Sequence, residues 1–77
     1  MTSSVSTIAG HHNSAVEHLA AAAQHHREAV KHHEAGSLDK AMYHTMVARA
    51  HARRAERHTD EAAKAYAQHE RESRKAS

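Results

Sequence analysis

The sequence predicts an all-α fold, an antiparallel helical hairpin that pairs with a second copy into a four-helix bundle. Three observations carry that expectation. The 77-residue chain has no proline, only two glycines, and 18 alanines, the strongest helix former. Histidine recurs every seven residues, as His11, His18, His25 and His32, beside them as His26 and His33, and beyond Gly36 as His44, His51 and His58. Six His pairs are seven apart, where random placement of the same composition gives roughly 1.4. Seven residues make close to two helical turns, so each series occupies one face of a helix.

The whole chain reads as one domain. Met1 to Ser4 are polar and expected to fray. Val5, Ile8 and Ala9 keep phase with His12, Ala15, Val16 and Leu19, which places a first helix over about residues 4–35. A competing start is the capping-box pattern Ser14-Ala-Val-Glu17, which would leave Gly10 to Asn13 as a loop. The early start is preferred because it makes the two helices equal in length. Gly36 suits the left-handed residue that ends a helix and Ser37 the N-cap of the next, so the turn is 36–37. The second helix spans about 38–71, with Asp39 near its positive end. Residues 72–77 read as a polar tail.

So short a turn makes the helices antiparallel. A pairing in which residue numbers sum to 74 sets imidazoles against small side chains in almost every layer. His33 meets Ala41, Val30 meets His44, His26 meets Ala48, Ala23 meets His51, Val16 meets His58 and His12 meets Ala62. Alanine lets paired helices approach to about 8 Å. The apolar stripe on the first helix, which also carries the His11–His32 series along its edge, is wider than one partner helix covers. With 18 of 30 apolar residues alanine and no Phe or Trp, a lone hairpin buries little. A homodimer is therefore expected.

Several function classes drop out. Without cysteine there is no thiolate site or thiol nucleophile. The Glu-x-x-His motif of di-iron bundles is absent, and no oriented triad is suggested, so no enzyme is expected. No segment reaches transmembrane length. The stretch MTSSVSTIAG has neither a positive n-region nor an apolar h-region, so a cytoplasmic location is expected. Arg49, Arg53, Arg57 and Lys64 form a basic stripe, but Asp60 interrupts it and no aromatics interleave, so it reads as a solvated face rather than a nucleic-acid surface.

Metal binding remains. Neutral imidazole is a ligand for Zn, Cu and Ni. No two histidines are three or four apart, so one helix alone offers no His–His chelate. A multi-His site must form across helices, and the pairing above gives His26, His33, His44 and His51 as ligands, with His12 and His58 as a distal set. One set within a helix stands out: His25, Glu28 and His32 share a face, and Glu28 and His32 have the chelating spacing of four. Eleven ordered histidines also need hydrogen-bond partners, and Ser, Thr and Asn on that face are too few.

The segment His25-His-Arg-Glu-Ala-Val-Lys-His-His-Glu-Ala-Gly36 resembles the small histidine-rich metal-binding proteins of bacteria. The likeness is one of pattern, over roughly residues 11–58. It implies a helical bundle that takes up copper and other divalent ions through heptad histidines. This chain differs in its His doublets and in showing no export signal. The expected function is binding of a divalent transition metal, Cu, Zn or Ni, for storage, buffering or detoxification. The competing expectation is a metal-free oligomerising bundle with a pH-sensitive histidine seam.

Overall fold

The computed structural model describes residues 4–76, and over these the chain is an all-α helical hairpin. Helix α1 spans Ser4–Glu34 and α2 spans Leu38–Ala76. The rod measures 62 × 15 × 14 Å. The frayed start expected for Met1 to Ser4 falls, for residues 1–3, outside the described residues. Helix α1 runs unbroken through Gly10 and Ser14, so the early start holds.

The turn between the helices is a Schellman motif. Gly36 has a φ of 79°, which a Cβ would oppose. Its N–H donates to the carbonyl of His33, and the Ser37 N–H donates to that of His32. The Ser37 carbonyl then accepts from the Ala41 N–H at 3.0 Å, the first bond of α2, which makes Ser37 its N-cap residue. Helix α2 continues past the expected end near 71. Contacts at spacing four line this stretch: Tyr66 donates to Glu70 at 3.0 Å, Gln68 to Glu72 at 3.5 Å, and Arg74 lies 4.0 Å from Glu70.

The helices meet through alanine. The buried apolar residues among those described are Ala15 and Ala22 of α1 and Ala41, Ala48, Ala55 and Ala62 of α2. On α2 the expected seam positions Ala41, Ala48 and Ala62 are buried, while on α1 the expected register is corrected. The sequence pattern favoured Val16, Leu19 and Val30 as seam residues, yet these are 63%, 54% and 58% exposed. The neighbouring alanine column turns inward instead. Methyl against methyl brings two backbones closest together, and a branched side chain in the seam would hold them apart.

The alanine seam has two flanks of different character. One carries the half-buried histidines of both helices. On the other lie shallow grooves, one lined by Val30, His33, Ala41 and Thr45, the second by Ile8, His12, Thr59 and Tyr66. On this flank Thr45 and Thr59 donate to the carbonyls four residues back, Ala41 and Ala55, at 2.9 and 3.0 Å. Arg49, Arg53, Arg57 and Lys64 are exposed. No helix among the described residues is long and apolar enough to cross a membrane.

Candidate metal centre

The alanine seam fixes where imidazoles meet. At a register set by Ala15 and Ala22 against Ala48 and Ala55, the His11–His32 series of α1 comes to face His44, His51 and His58 of α2. Three cross-helix rungs result. The Nδ1 atoms of His11 and His58 lie 3.0 Å apart, those of His18 and His51 3.0 Å, and those of His25 and His44 2.9 Å. At these distances one ring donates Nδ1–H and the other accepts on its Nδ1 lone pair. Successive rungs also touch through their ring faces. His18 stacks on His58 and His25 on His51, both with centroids 5.9 Å apart, and His32 stacks on His44 at 5.4 Å. Seven imidazoles thus form one zigzag column, in the order 11, 58, 18, 51, 25, 44, 32.

The column ends at the turn beside a carboxylate. His32 Nε2 lies 3.9 Å from Glu28 Oε1, while Lys31 holds the other oxygen at 3.2 Å. One ligand atom each from Glu28, His32 and His44 falls within 4.8 Å of the others, and all three residues are half-buried. Two ligand atoms on one small ion are at most about 4.2 Å apart, so slight side-chain movement closes the set. The hydrogen bond and charge of Lys31 hold the Glu28 carboxyl below its usual range, with His44 and His32 adding to this against some opposing burial. Glu28 therefore offers an anionic oxygen at neutral pH. The site also lies beside the negative end of α1, where cations are favoured.

Of the six histidines expected from sequence to bind metal, His44, His51 and His58 lie in the column. His12, His26 and His33 are exposed on the opposite side of the seam. Among the described residues they take part in none of the cross-helix ring pairings. Their places opposite α2 are taken by His11, His18, His25 and His32, which the sum-of-74 register had left on the edge. The spacing of Glu28 and His32 was visible in the sequence, but their approach to His44 follows only from the true register.

His51, at mid-column, has its pKa lowered. Burial is the main cause, followed by the charges of His18, Arg54 and His25. The shift favours its neutral form, which can accept a hydrogen bond.

No protein-family model matches this sequence, and neither the curated proteins nor the solved structures gave a match. The functional reading therefore rests on the site itself.

Proposed function

We propose that this protein binds a divalent transition metal ion, Cu(II), Zn(II) or Ni(II), at Glu28, His32 and His44, and serves in metal storage, buffering or detoxification. The convergence of these three ligand atoms within 4.8 Å is the observation that carries the reading. Two nitrogens and one carboxylate oxygen suit borderline divalent ions and leave positions for water. The site opens to solvent at the hairpin turn, which favours reversible uptake over chemistry on an enclosed substrate. The resemblance to histidine-rich bacterial metal-binding proteins points the same way.

Added metal is expected to raise the melting temperature, since an ion at 100 times its Kd stabilises the folded state by about 2.7 kcal/mol. Calorimetric titration checks the ligands. The double variant Glu28→Gln, His32→Ala removes two of three and is expected to weaken this site by more than about 100-fold, because even outer partners of ligands are worth 10–100-fold. Unchanged affinity in that variant would reject the site.

The working form is a homodimer, a four-helix bundle with a second copy of this chain on the flank opposite the histidine column. Among the described residues only alanines are buried, and Val16, Leu19, Val30 and Tyr66 are all more than half exposed. Methyl-sized burial does not offset the ordering of about 70 residues, so these side chains need cover. Sedimentation at tens of micromolar is expected to give twice the 8.5 kDa chain mass. A monomer with and without metal would exclude the bundle.

A further inference from the structure

We propose that the rungs His11–His58 and His18–His51 are two further metal sites, each a cis bis-imidazole chelate for a square-planar divalent ion such as Cu(II). This rests on the reading that the chain binds transition metal, but it uses none of the three ligands at the turn.

Two nitrogens 3.0 Å apart, each about 2.05 Å from a common ion, subtend about 94° at it. That is close to the 90° between neighbouring ligands of tetragonal Cu(II) or Ni(II). A tetrahedral ion such as Zn(II) needs the same nitrogens about 3.35 Å apart, wider than they stand in these rungs. To receive the ion, each ring turns so that its Nδ1 lone pair leaves the N···N line. The donor ring's proton passes from Nδ1 to its own Nε2 through water. The rung therefore exchanges a hydrogen bond for two metal bonds without net loss of a proton.

Water completes the plane, because the rung residues are only half-buried. Neighbouring rungs are seven residues apart, about 10.5 Å along the helix, which is about one Debye length at physiological salt. The ions then load almost independently.

Titration of the full chain with Cu(II), followed by electron paramagnetic resonance, tests this. The wild type is expected to bind two ions beyond the turn site, each with an axial spectrum split by two in-plane nitrogens. The variant His11→Ala, His18→Ala should lose both ions and keep the turn site. The variant His51→Gln, His58→Gln should lose the same two from the other helix. The variant Glu28→Gln, His44→Ala should lose the turn site and keep the two rung ions, which separates failure of that site from failure of the rungs. Removing as many exposed histidines, in His12→Ala, His26→Ala, should leave the capacity unchanged. Circular dichroism confirms that each variant is helical, and either rung pair remaining foldable suffices for the test. Wild-type capacity in the rung variants, or an equal loss in the His12/His26 variant, would overturn the proposal.

Discussion

Replacing Ala48 with leucine is expected to open the hairpin. Ala48 is 0% exposed at the middle of the seam, between His44 and His51 of α2, whose rungs to His25 and His18 close at 2.9 and 3.0 Å between Nδ1 atoms. Extra methylenes in a tight core cost about 1–3 kcal/mol. Here the cost compounds, because pushing the helices apart also stretches hydrogen bonds that exist only at alanine spacing. A loss of 1 kcal/mol lowers the melting temperature by about 4–8 °C in a domain of this size, so a fall of about 10 °C or more is expected by circular dichroism. The same change at exposed Ala50 is expected to shift stability by no more than about 0.5 kcal/mol. Equal melting of the two variants would mean that the helices do not nest on alanine.

Acidification from pH 8 to 4.5 is expected to loosen the hairpin and release metal together. Each rung needs one neutral ring to accept the Nδ1–H bond. When both rings are protonated, two donors and two positive charges face each other at about 3.0 Å. His51 sets the direction of the linkage. Its folded pKa lies below the ordinary histidine value of about 6.5, so the unfolded chain binds more protons over that interval. Stability present above about pH 6.5 is lost as the pH falls from there through the lower folded value. Glu28 adds to this loss only at the acid end of the range, where the unfolded carboxyl, with an ordinary value of 4.5, begins to take up protons that Lys31 denies the folded one. Melting curves across this range, with bound copper followed by its absorbance, check both outcomes. A melting temperature independent of pH would show that the rungs do not support the seam.

The hairpin, its turn and the early start of α1 were legible because each depends on local chemistry: helix formers throughout, Gly36 at a positive φ, Ser37 at an N-cap. The register was not. A heptad pattern says which residues share a face, and on α1 it offered four adjacent columns. Choosing among them by hydrophobic size selected Val16, Leu19 and Val30. The distance between backbones decided instead for alanine, leaving those three more than half exposed. Glu28 and His32 could be paired in advance because spacing four lies within one helix, whereas His44 reaches them only through that register. The same shift moved His12, His26 and His33 to the opposite flank and brought His11, His18 and His25 to the rungs.

The turn has a further consequence, which is a matter of counting. In every rung the two residue numbers add to 69 (11 with 58, 18 with 51, 25 with 44). Walking outward from Gly36, one helix counts down by seven as the other counts up, so the total is an invariant of the hairpin. Ala35 to Ser37 set it. A single residue inserted there would change the total for all rungs at once, mismatching every pair without altering any histidine. The next positions with the same total are 4 and 65, both within the helices, so a histidine at each would append a rung already in step. The ladder is thus indexed from one end, and its length is free to vary from the other.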